Sequence, residues 1–136
     1  MKYLKYLCAL LATLCLAMPA AAQDAIESLT LHRDDNGKPG AVVPQFAPQD
    51  KKQHFTVKLR KMELGKNVFQ VRLVAVETSA GSNIEVLKRD FGDSLIANTI
   101  TMQASLPRDW PTGRYRLEVS MNSKPLGARD YRIASQ

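Results

Sequence analysis

Past its first 22 residues the chain has no cysteine: Cys8 and Cys15 both fall within the opening stretch "MKYLKYLCALLATLCLAMPAAAQ". A domain without thiols forms no disulfide, holds no Cys-ligated metal and has no thiol nucleophile. Histidine is represented only by His32 and His54, and tryptophan only by Trp110. The one continuous apolar run, Leu7 to Met18, stops at Pro19 after about twelve residues, where a membrane-spanning helix needs about 20. There is no Gly-rich phosphate loop, no G-x-S-x-G elbow and no H-E-x-x-H pair, so the familiar signatures of nucleotide binding, serine hydrolysis and zinc proteolysis are missing. The expectation is a protein that is not an enzyme and uses no cofactor.

What the N-terminus does have is Lys2 and Lys5, then the short apolar run, then the small residues Ala20 and Ala22. That order predicts a secretory signal peptide over residues 1–22, cleaved after Ala22, and one domain over residues 23–136. Leu14 precedes Cys15 where a lipid-anchored protein would have a small residue. Export combined with a thiol-free domain points to a bacterial periplasm rather than to a disulfide-stapled secreted module. Removing 22 of 136 residues leaves 114, enough for a single hydrophobic core. Losing Lys2 and Lys5 lowers the formal charge from +6 to +4. With acids mixed among the bases, that balance excludes a nucleic-acid role and fits mild attraction to an anionic envelope surface or an acidic partner.

The dominant period of the remaining chain is two. Ser28 to Arg33, His54 to Met62, Asn67 to Thr78, Asn83 to Phe91, Ile96 to Leu106, Tyr115 to Met121 and Ala128 to Ala134 read as seven short strands. Between them lie breakers rich in Gly, Pro and Asn, such as "DDNGKPG" and "PRDWPTG". Asp34 to Asp50 is expected to be one long loop. A bulge near Arg129 and Asp130 is expected to restore the inward face of the last strand, because Leu126 and Ala128 are out of phase with Tyr131 and Ile133.

The stretch "WPTGRYRLEV", residues 110 to 119, puts Tyr115 two residues before Leu117, behind a Pro-Gly turn. In immunoglobulin-type sandwiches a Tyr at that place closes the corner into the penultimate strand with its hydroxyl. Residues 105 to 133 resemble the last two strands of bacterial exported Ig-like domains. The resemblance implies an all-β, Ig-like antiparallel β-sandwich of about seven strands, with Trp110 plugging the core beneath the corner. The CopC-like periplasmic copper carriers share such a closing hairpin, but they start with His and carry Asp-Gly-His in the final turn. Here those places hold Gln23 and "NSKPLG", so copper binding is not implied. "TGRY" is similar to short loops of periplasmic lysozyme inhibitors over only a few residues, and a net positive chain is poorly matched to a basic lysozyme.

Three functional expectations follow. With Phe69, Val71, Leu73 and Ala75 inward, Val74 and Val76 would face outward beside Arg72. In an Ig-type order, Arg114 and Arg116 on the neighbouring strand would flank them. Arg72, Val74, Val76, Arg114 and Arg116 are therefore expected to form a partner-binding face, for another protein or for a second copy of the chain. The alternative is a carrier of a small ligand or metal ion that uses His32 and His54 with the acids of loop 34–50. The third is an inhibitor or immunity protein of an envelope-acting enzyme.

Overall fold

The computed structural model describes residues 24–60, 68–92 and 98–135. The expected signal segment and its cleavage site lie outside the described residues, as do the tips of three expected strands. Eight strands are present: β1 (Ile26–Asp35), β2 (Lys38–Val43), β3 (Lys52–Leu59), β4 (Phe69–Thr78), β5 (Gly81–Phe91), β6 (Thr99–Ser105), β7 (Gly113–Met121) and β8 (Lys124–Ile133). They form two antiparallel four-stranded sheets, ordered β2-β1-β3-β6 and β5-β4-β7-β8. Their inner faces share one core that includes Ile26, Phe55, Val57, Val71, Leu73, Ile100, Leu117 and Val119, each at most 1% exposed. The alternation of apolar and polar residues is what produces this two-layer sandwich, since each strand has only one face to bury.

Two expectations are corrected. The segment 34–50 is not one loop, because its first half is a hairpin. Asn36 and Gly37 both have positive φ, 51° and 85°, and make the tight turn from β1 into β2. β2 eluded the period because it is an edge strand, "KPGAVV", exposed or half-exposed throughout, so it carries no buried side to alternate against. The bulge in β8 lies at Leu126, not near Arg129: Ser120 faces Pro125 while Val119 faces Gly127. That shift brings Leu126 onto the inward face that Arg129, Tyr131 and Ile133 share by alternation. The Arg129 guanidinium reaches across the sandwich to the Ile26 carbonyl at 2.6 Å and to Asp24 at 2.6 Å.

The expected corner is present. The Tyr115 hydroxyl donates to the Pro111 carbonyl at 2.6 Å, and burial pushes its phenol up to about 12. Trp110 is 2% exposed, packs edge-on against Tyr115 with centroids 6.0 Å apart, and donates its indole N–H to the Lys51 carbonyl. From there the aromatic stack continues through Tyr131, 5.5 Å from Tyr115, to Phe55 and Phe46. Each such pair adds roughly 0.5–1.5 kcal/mol beyond the area it buries. Within "TGRY", Gly113, at φ 141°, leaves no room for a side chain, since a Cβ there would lie 2.1 Å from the Glu77 carbonyl oxygen.

Candidate functional site

Of the five residues expected to meet a partner, the outer face of β5-β4-β7-β8 carries the three arginines as half-exposed side chains. Arg72 lies on β4, and Arg114 and Arg116 lie on β7; the register sets Arg72 opposite Glu118, and Val74 opposite Arg116. Each guanidinium is held by carboxylates of neighbouring strands. Arg72 donates to Glu85 of β5 at 2.7 Å and to Glu118 of β7 at 3.2 Å, and these hydrogen bonds raise its already high pKa. Arg116 donates to Asp130 of β8 at 2.8 Å, and Arg114 reaches the same carboxylate at 3.4 Å. The Arg116 guanidinium, helped by Arg114, holds the Asp130 carboxyl below the usual carboxylate value. Gln70 and Asp90 extend the ladder at 2.8 Å.

The valines do not sit as expected. Val74 is only 5% exposed, although its strand phase points it outward. Its cross-strand neighbours are Glu85 and Arg116, with Arg72 two residues before it. Arg72 and Glu85 join their charged ends while Arg116 turns to Asp130, and the aliphatic stems of these long side chains account for the shielding of the valine. Val76 is the extra residue of a bulge between Ala75 and Glu77 and is half-buried. The face is therefore a fixed polar lattice over a shielded apolar residue, not an open apolar patch. A sequence cannot announce such a lattice, because Glu85, Glu118 and Asp130 become partners of these arginines only through strand register.

Beside the lattice an open groove of about 480 Å³ runs along β4, β7 and the β7–β8 turn, between Gln70, Arg72, Arg116, Ser123 and Pro125. Its walls offer guanidinium, hydroxyl and amide groups together with the flat face of a proline. That combination can bind polar side chains or main chain of a partner, held in place by donors whose positions are already fixed.

On the opposite sheet His32 and His54 are direct cross-strand neighbours. His32 donates Nδ1–H to the Gly40 carbonyl at 3.1 Å, and its Nε2 meets the Thr56 hydroxyl at 3.3 Å. His54, 3% exposed, donates Nε2–H to Asp34 at 2.7 Å. That bond, with a second from the Gly37 N–H, holds the Asp34 carboxyl below its usual value. The acids named with the two imidazoles separate: Asp34 joins His54, whereas Asp50 accepts from the Ala47 N–H and lies 3.7 Å from Arg33. Among the described residues no three His, Cys, Asp or Glu side chains are grouped to hold a metal ion. The pair ties the β1–β2 turn to β3.

Compared with protein-family models and with curated proteins, the chain matches none.

Proposed function

We propose that this protein is an exported, periplasmic interaction module with an Ig-like sandwich, binding another protein or a second copy of itself without catalysing a reaction. The strand order β2-β1-β3-β6 against β5-β4-β7-β8 and the Tyr115–Pro111 corner bond support the Ig-like reading. The observation that carries the functional reading is the groove of about 480 Å³ beside the Arg72–Glu85–Glu118 and Arg116–Asp130 lattice. Binding through this face orders little that is not already ordered, so the entropic cost of docking is small.

The test is cross-linking of the tagged protein in its native envelope, with mass-spectrometric mapping of the attachment points. One dominant species attached around Arg72, Arg114 and Arg116, and lost on Arg116→Glu, is the expected result. Absence of specific capture, under conditions that recover a known envelope complex, overturns the proposal.

A further inference from the structure

The four sheet edges are not equally protected. On β8 the far side is occupied at both ends: the Phe46 N–H donates to the Arg132 carbonyl, the Ala134 N–H to the Phe46 carbonyl, and the Ala25 N–H to the Leu126 carbonyl. β2 is six residues long and includes Lys38 and Pro39, which discourage strand addition. β6 also has no described strand on the side away from β3, but it is only seven residues long. β5 differs. It is eleven residues long, pairs only with β4, and has no described strand on its other side.

Next to that free edge lies a second groove, of about 210 Å³, lined by Ile84, Val86, Leu106, Trp110 and Tyr115, with Arg108 at its rim. Ile84 is one of the few large apolar side chains left exposed, at 42%. Further along β5 come Lys88 and Arg89, both exposed. Neither they nor Arg108 form an ion pair among the described residues, whereas Arg72, Arg114, Arg116 and Arg129 each do. Among the described residues, the same strand therefore offers main-chain donors and acceptors without a partner strand, an apolar receptacle and positive charge outside any ion pair.

We propose that β5 and the adjoining groove receive an extended, acidic segment of a partner protein, which adds to the β5-β4-β7-β8 sheet as a fifth strand. Main-chain bonding to β5 supplies the register-independent part of the affinity. Alternate apolar side chains of the segment enter the groove at Ile84 and Val86, and the carboxylates between them point to the outer face, where Lys88 stands opposite Arg72; Arg89, opposite the buried Val71, and Arg108 at the groove rim add positive charge on the groove side. The inference rests on the interaction-module reading and deepens it, because β5 borders the proposed binding face through the Glu85–Arg72 pair.

Synthetic nine-residue peptides test it. One alternates Glu with Val or Leu, a second replaces Glu by Lys, and a third is the acidic peptide with a central proline. Trp110, the sole tryptophan, lines the groove and reports occupancy by its fluorescence. Amide hydrogen exchange reports main-chain pairing. The acidic peptide is expected to bind saturably and to slow exchange at alternate β5 amides. The Lys and proline peptides are each expected to bind at least about tenfold more weakly, the first from charge repulsion and the second from the missing donor. Lys88→Glu with Arg89→Glu should invert the preference toward the Lys peptide, while Arg132→Glu on β8 leaves it unchanged. Ile84→Asp, checked for an unaltered melting temperature, should abolish the Trp110 response.

No binding, equal binding by the charge-reversed variant, or protection away from β5 overturns the proposal. So does a peptide-free dimer whose β5 amides are protected. If envelope cross-linking still captures a partner at the Arg72–Arg116 face while β5 stays exchangeable, only this inference fails. If nothing is captured, the broader reading fails with it.

Discussion

Gly113 and Gly37 together separate two costs that are usually confounded. Both have positive φ, 141° and 85°, but a Cβ at Gly37 meets nothing within 4 Å, while one at Gly113 would lie 2.1 Å from the Glu77 oxygen and 2.7 Å from the Thr78 Cα. Gly37→Ala thus carries only the conformational penalty of a left-handed residue, about 1–2 kcal/mol. Gly113→Ala adds a backbone-to-backbone overlap that no rotamer change can relieve. Thr78 is paired with Gly113 across β4 and β7, so relief requires the end of that ladder to part next to the Tyr115 corner. Overpacking costs roughly 1–3 kcal/mol, and it falls on top of the backbone term. The sum, about 2–5 kcal/mol, is a large share of the 5–15 kcal/mol that typically holds a domain together. Urea unfolding of both variants, compared at equal m-value, measures the difference directly. If Gly113→Ala loses no more stability than Gly37→Ala, the steric argument for this corner is wrong.

Val74→Asp should cost about 2 kcal/mol or more, because the residue is 5% exposed and its carboxylate would be desolvated and compete with Glu85 for Arg72; a soluble variant with unchanged urea midpoint would show that the valine is open to solvent. Gln53 is fully buried in β3, and neither its amide oxygen nor its nitrogen has a partner among the described residues. Gln53→Met keeps the shape and removes that desolvation, so stability should rise by about 1 kcal/mol; a loss of similar size would contradict the assignment. From residue 23 onward the tyrosines are Tyr115 and Tyr131, and burial raises both, Tyr115 to about 12 from 10.0. Because the folded pKa is the higher one, the stability gained at Tyr115, on the order of 3 kcal/mol, is complete below pH 10 and lost as pH climbs toward 12. Phenolate absorbance of the protein lacking residues 1–22 should therefore stay flat through pH 10 and rise only with unfolding. A folded protein with an ordinary tyrosine titration would refute the burial.

Much of the architecture was legible because burial imposes it locally. Phe55, Val57 and Leu59 alternate since their strand has one dry side, and Tyr115 with Leu117 reads as a corner since hydroxyl and backbone lie four residues apart. β2 was illegible for the converse reason: with both sides wet, nothing constrains its period. The β8 bulge was foreseen from the phase conflict but misplaced, because a phase conflict fixes that one residue is extra and not which one. At the candidate face, Arg72, Arg114 and Arg116 were found, whereas the shielding of Val74 was not. That shielding depends on Glu85, Glu118 and Asp130, which stand 13, 46 and 14 residues from the arginines they bind. Alternation says which way a side chain points; only register says what lies over it.

The Arg129 guanidinium closes the sandwich by holding the Ile26 carbonyl, 103 residues earlier in the chain. The Ala25–Leu126 bond joins the residue just before β1 to β8. Without β7 and β8 the second sheet is a bare β4–β5 hairpin, so no N-terminal portion of the chain can cover the first sheet. Assembly must then wait for the last strand to become available, and a topology dominated by such distant pairings folds slowly, in milliseconds to seconds. In the export route proposed above, that delay would keep every earlier strand threadable until the final residues have passed.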